Sequence, residues 1–150
     1  MDLDITSESI TIDLDWTLEV GVADLDLEGI ADTNDAESAG NYDAARALTP
    51  EQLEAAFREA WPRIRDQMTV SVDGTPVPLE LGAFDIPEVG NVEDARISTV
   101  TLTGALPDGA SPIVVGWQAA LGPLVVRQPG IEGGYSAFLT GGQLSDPNAR

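Results

Sequence analysis

One hundred and fifty residues are enough for a single domain with a real core, and 43% hydrophobic against 22% charged residues marks a globular chain rather than a disordered one. The formal net charge is −19, from 26 acids against Arg46, Arg58, Arg63, Arg65, Arg96, Arg127 and Arg150, so the surface repels nucleic acid and anionic lipid and neither is expected as a partner. With no cysteine, histidine or lysine there is no disulfide, thiol nucleophile, Ser-His-Asp or Ser-Lys pair, Schiff base or imidazole base.

The opening "MDLDITSESI" has neither the basic nor the apolar region of a signal peptide, and no run of 18 apolar residues spans a membrane. "ITIDLDWTLEV" alternates strictly, with Ile10, Ile12, Leu14, Trp16, Leu18 and Val20 on one face. That period predicts one long strand over 10–20, its wet face carrying Asp13, Asp15 and Glu19. "GVADLDLEGIADTNDAESAGNYD" has no long period and reads as a short helical turn or irregular strand followed by an exposed loop.

"LTPEQLEAAFREAWPRIRDQM" predicts an amphipathic helix. Thr49 is the N-cap, Pro50 the first helical residue and Gln52 the partner in a capping box. Leu53, Phe57, Trp61, Ile64 and Met68 form one apolar stripe, which assigns Phe57 and Trp61 to the core. Pro62 is expected to kink the helix or end its regular part. Short strands and turns follow: "MTVSV", a hairpin at "DG", "TPVPLEL", "ISTVTLTGAL", the turn "PDGA", "PIVVGWQ", "LVVRQ" and "GYSAFLT". Strands at this spacing predict a mainly β fold, an antiparallel sandwich of immunoglobulin-like or related type with one amphipathic helix inserted between strands. The late glycines then turn corners. A phosphate loop is excluded because the lysine it needs is absent.

Two groups of acids are candidate metal ligands. "DTNDAESAGNYD" carries Asp32, Asp35, Glu37 and Asp43, but an EF-hand loop wants an oxygen ligand and then glycine where Ala36 and Glu37 stand. Asp13 and Asp15 lie about 7 Å apart along a strand, a spacing that suits a water or a hard cation as well as an ordinary solvated face. With oxygen ligands alone, any divalent cation binds weakly and no cofactor is expected. Arg127 is expected to pair with a carboxylate, with contact to a substrate anion as the alternative, Trp16 and Trp117 to sit in the core, and Tyr135 to lie at a strand edge or meet a partner.

The stretches "NYDAARALTPEQLEAAFREAWP", "PVPLEL", "VVGWQAALGPLVVRQ" and "GYSAFLTGGQLSDP" together resemble the extracytoplasmic N-terminal region of bacterial HupE/UreJ-family membrane proteins, over about residues 8 to 147. The resemblance implies a single periplasmic domain over 1–150, with a leader before it and residues 141–150 starting a linker toward transmembrane helices. Its partner would be its own transmembrane part, in a family associated with nickel or cobalt uptake and with hydrogenase or urease maturation. The family's suspected His- and Asp-rich motifs lie in the membrane part, so no metal residue is carried over.

The expected function is therefore a non-catalytic binding or interaction module. Either the acidic surface gathers or delivers a divalent metal, or strand edges and "GGYSAF" dock a protein partner or another copy. A carboxylate-based hydrolase is the remaining class.

Overall fold

The structure, a computed structural model, describes residues 1–109 and 111–147. Strand β1 (Asp2–Ile5) turns at Thr6, whose Oγ1 accepts the Ser9 N–H at 3.0 Å, into β2 (Ser9–Trp16). Three helices come next: α1 (Leu18–Val22), α2 (Ala39–Arg46) and α3 (Pro50–Arg65). The rest is β3 (Met68–Val72), β4 (Thr75–Pro76), β5 (Glu80–Asp85), β6 (Ser98–Ala105), β7 (Ile113–Trp117), β8 (Leu124–Arg127) and β9 (Ser136–Leu139). The fold is mainly β, as the strand and turn pattern implies.

A six-stranded sheet runs β5-β6-β2-β1-β8-β9 and a three-stranded sheet runs β4-β3-β7. All pairings are antiparallel except β1 with β8, which meet in parallel at Asp2 and Arg127. β2 and β6 are neighbours inside the larger sheet and pair over the whole of β2, from Ser9↔Ala105 to Trp16↔Ser98. Their inward residues Ile10, Ile12, Leu14, Val100 and Leu102 are buried in the same cluster as Val70, Ile113 and Val115 of the smaller sheet. Trp16 and Trp117, one from each sheet, meet with ring centroids 5.3 Å apart, so both lie in the core. The "DG" hairpin between β3 and β4 forms with Asp73 and Gly74 at φ 50° and 77°, the left-handed pair that a tight two-residue turn requires.

Helix α3 has its capping box: Gln52 N–H donates to Thr49 Oγ1 at 3.3 Å, and Thr49 N–H donates to Gln52 Oε1 at 3.0 Å. It continues through Pro62 to Arg65. Leu53, Phe57, Trp61 and Ile64 are buried on its inner face, and Phe57 meets Trp16 and Phe84 of the larger sheet edge-on at 6.4 and 5.7 Å.

The long first strand is the main correction. β2 stops at Trp16, and residues 18–22 turn into α1, with Leu18, Glu19, Val20 and Gly21 all buried. Two-residue alternation over so short a stretch does not separate a strand from a helix buried on most sides. Gly21 allows this turn: a Cβ there would stand 2.9 Å from Ile64 Cδ1 and from the Trp16 ring, so only glycine lets α1 come this close. β1 and the short helix α2 are elements that the sequence pattern did not single out.

The proposed linker start is held against the smaller sheet over its described part. Leu144 bridges to Gly116, and Ser145 N–H donates to the Val115 carbonyl at 2.7 Å while its Oγ accepts the Val115 N–H at 3.0 Å. Residues 148–150 of that segment, and Ala110 of the "PDGA" turn, lie outside the described residues.

Candidate functional site

The outer face of the larger sheet is built from rows of acids and threonines. Asp13 stands opposite Thr101 and Asp15 opposite Thr99. Each threonine hydroxyl donates to its aspartate, at 2.8 Å for Asp13 and 2.6 Å for Asp15. Asp2 faces Asp13 from β1, and its carboxylate is held by Arg127, which donates from Nε at 2.8 Å and from Nη2 at 3.0 Å. The carboxylate expected beside Arg127 is therefore Asp2. Asp13 and Asp15 share the exposed face as the alternation implies, each with one oxygen in use.

Glu19 does not join them. It is fully buried in α1, where Arg96, from the loop before β6, donates to its Oε1 at 2.7 Å. Arg96 also donates to the carbonyls of Leu48 at 3.0 Å and Pro87 at 3.4 Å, so one guanidinium ties together α1, the end of α2 and the β5–β6 loop. Glu19 Oε2, Arg96 Nη2 and Ser98 Oγ are buried without a hydrogen-bond partner. The pair was not legible in the sequence because period two placed Glu19 in water and Arg96 sits in an irregular stretch.

The acids of the 32–43 loop are dispersed. Asp32 caps the short 3-10 turn Thr33–Asp35 by accepting the Asn34 N–H at 2.9 Å, and Asp43 accepts from Arg46 at 2.7 Å. Asp35 and Glu37 are exposed. Among the described residues no three carboxylates come together in a group that could hold a metal ion. Tyr42 of α2 is buried, with the Arg46 guanidinium 4.9 Å from its ring centroid. Burial raises its hydroxyl pKa above 10.0, with Arg46 pulling the other way and Glu19 and Asp43 adding to the rise.

At its far end the same outer face changes character. Between Asp108 and Asp146 the chain carries only two charges, Arg127 and Glu132. Val125 of β8 and Phe138 of β9 stand directly opposite each other and are 47% and 65% exposed, which makes Phe138 the most exposed large hydrophobic residue of the described chain. Among the described residues β9 is an edge strand. The other edge, β5, is blunted: a register shift between Leu81 and Phe84 bulges it, Glu80 and Asp85 close its ends, and Arg58 covers the Phe84 ring at 4.7 Å. β9 has no charge, proline or bulge along it. Tyr135 lies just before this edge strand, its hydroxyl accepting the Asp146 N–H at 3.0 Å.

Several open hollows dent the surface. One of about 470 Å³ lies beside β3 and the 76–79 segment, with Arg65 and Asp66 at its rim, and another of about 350 Å³ lies where β1 begins between Asp15 and Val125. The first is lined by Thr69 and Ser71 as well as Asp66, and the second by Met1, Trp16, Trp117 and Arg127. Comparison with protein-family models, with curated proteins and with solved structures returns no match.

Proposed function

We propose that this chain is a non-catalytic interaction domain, the extracytoplasmic part of a membrane protein like those of the HupE/UreJ family, and that it works by docking through the β8–β9 end of its larger sheet. The observation that carries this reading is the exposed pair Val125 and Phe138 on an unprotected, charge-free edge. An unpaired strand edge offers a row of backbone donors and acceptors to another chain, and most folds blunt it. Here one edge of the sheet is blunted by a bulge and by acids and the other is left open, a difference that a docking role accounts for. The absence of histidine, lysine and cysteine supports a role without catalysis. The resemblance over residues 8 to 147 supports the extracytoplasmic setting and the association with nickel or cobalt uptake.

Delivery of a metal by the acidic face has weaker support, because the carboxylates of that face are spaced along strands or engaged by threonine and arginine. The test is site-specific photo-crosslinking in the source cells, with benzoylphenylalanine in place of Phe138 and, as a control, in place of Ala83 on the blunted edge. A discrete adduct from position 138 and none from position 83 is the expected result. Equal labelling from both positions, or none from either, removes docking through β9.

A further inference from the structure

We infer that the β9 edge pairs with β9 of a second copy of this chain, antiparallel and in one register, so that the two larger sheets become continuous. This inference rests on the docking reading above and names its partner.

The backbone fixes which groups are on offer. Tyr135 C=O accepts the Gln128 N–H at 2.8 Å, and Ala137 and Leu139 stand opposite Val126 and Leu124. In an antiparallel ladder the residues that bond to one neighbour alternate with those that face away. Residues 135, 137 and 139 therefore turn their amides and carbonyls toward β8, and Ser136 and Phe138 turn theirs outward. The next outward amide, Thr140 N–H, is taken by Gln143 Oε1 at 3.1 Å, which closes the edge at its C-terminal end. Outward groups at two positions two residues apart are self-complementary. A twofold axis at Ala137 sets Ser136 against Phe138 of the second copy and Phe138 against its Ser136, and each pair exchanges both hydrogen bonds. The Phe138 rings of the two copies then lie diagonally across the joint on the outer face, within reach of one another and each beside its own Val125.

Charge decides in favour of this edge for a second copy. Each copy carries −19, and across most of the surface two copies repel. The stretch from 133 to 145 carries no charge at all, so a like molecule can approach there without setting acid against acid. Self-pairing then has a salt signature opposite to that of a cationic partner. Added salt screens the remaining repulsion and strengthens a pair of like-charged molecules, whereas it weakens attachment of a basic protein to the neighbouring acidic face. A joint only one short strand long is smaller than a standard interface, so the expected species is a weak, reversible dimer.

Sedimentation velocity of the purified chain, over a range of concentration and from about 0.01 M to about 1 M sodium chloride, is the primary test. The mass is expected to rise from monomer toward dimer with concentration, and more so at high salt. Ser136→Pro removes an outward N–H without touching the β8 ladder, and Phe138→Glu places acid against acid; both are expected to remain monomeric with an unchanged circular dichroism spectrum. The chain has no cysteine, so Ala137→Cys supplies a single thiol at the twofold position, where facing Cα atoms stand about 4.5 Å apart, close enough to bridge. It is expected to form a disulfide dimer under mild oxidation, and Ala83→Cys is not. A monomer at every salt concentration overturns the self-pairing. So does a dimer that survives Ser136→Pro and Phe138→Glu, or cross-linking through Ala83→Cys as fast as through Ala137→Cys. If the chain stays monomeric while the benzoylphenylalanine adduct at position 138 contains a different protein, self-pairing falls and docking through β9 stands; if it dimerises as expected and no adduct forms in cells, docking in the cell falls.

Discussion

Glu19 and Arg96 meet as a buried ion pair 77 residues apart in sequence, Nε to Oε1 at 2.7 Å, with side chains 0% and 9% exposed. Removing either partner alone strands a charge in the interior. Glu19→Ala is expected to cost about 3–5 kcal/mol in urea or guanidinium melts. The pair leaves Glu19 Oε2 and Arg96 Nη2 unsatisfied, so its own net contribution is small. Glu19→Leu combined with Arg96→Met is therefore expected to recover most of the loss and to match or exceed the parent. A double variant no more stable than the single one means that the Arg96 links to Leu48 and Pro87, rather than charge balance, hold this corner.

Helix α3 packs through Phe57, which is fully buried between Trp16, Trp61 and Phe84. Phe57→Ala is expected to cost about 3–5 kcal/mol, the range for deleting a buried aromatic ring. Trp61→Ala is expected to fall toward the lower end, because Trp61 keeps 8% exposure at the helix surface. A loss below about 1 kcal/mol for Phe57→Ala places the helix off the sheet.

What the sequence revealed follows the strength of each local rule. The capping box at Thr49 and Gln52, the apolar stripe of α3 and the Asp73-Gly74 turn are set by neighbours in the chain, and all three form. The alternation of β2 held only as far as its β6 partner extends, to Trp16 opposite Ser98. Past that point tertiary contacts decide, and Arg96, remote in sequence, turns Glu19 inward. The candidate acids were legible as a face at Asp13 and Asp15, because strand spacing is local. The openness of the β9 edge was not legible, because an edge is defined by which strands fail to pair.

Two glycines separate close packing from simple helix propensity. Gly21→Ala drives a Cβ to 2.9 Å from Ile64 and Trp16, and is expected to destabilise by about 1–3 kcal/mol. Gly40, inside α2, has nothing within 4 Å of the added Cβ, and Gly40→Ala is expected to stabilise by about 0.5–1 kcal/mol. Thermal melts of the two variants should move in opposite directions. Equal shifts would mean that α1 has room against α3.

Tyr42 gives the alkaline limb of the stability curve. Burial holds its folded pKa above the ordinary value of 10.0. Its contribution is fully present below the unfolded pKa and is lost as pH rises through the folded one, because the unfolded chain releases the proton first. Stability is therefore expected to fall as pH climbs above about 10, and Tyr42→Phe, which has no proton to lose, is expected to flatten that fall. Melts between pH 8 and 11 check this; an unchanged alkaline slope in Tyr42→Phe assigns it to another group.

Salt tests how the acidic surface is borne. Six arginines within the described residues each lie beside a carboxylate: Arg46 with Asp43, Arg58 with Glu54, Arg63 with Asp24, Arg65 with Asp66, Arg96 with Glu19 and Arg127 with Asp2. Most of the 26 acids are left without a cation, and folding gathers charge that the expanded chain spreads out. At about 0.01 M ionic strength the screening length is about 30 Å, comparable to a domain of this size, so most acid pairs repel across the fold. At about 1 M it falls to about 3 Å and that repulsion is largely removed. The exposed arginine pairs lose attraction over the same range, but each contributes little. The melting temperature is therefore expected to rise with sodium chloride. Ser136→Pro separates the two effects of salt: in that monomer the rise reports charge screening within one fold, and any further rise in the parent chain reports the edge-to-edge dimer. A melting temperature that is flat or falls in Ser136→Pro would show that the acids are compensated within each molecule. Salt would then have no intramolecular repulsion to relieve.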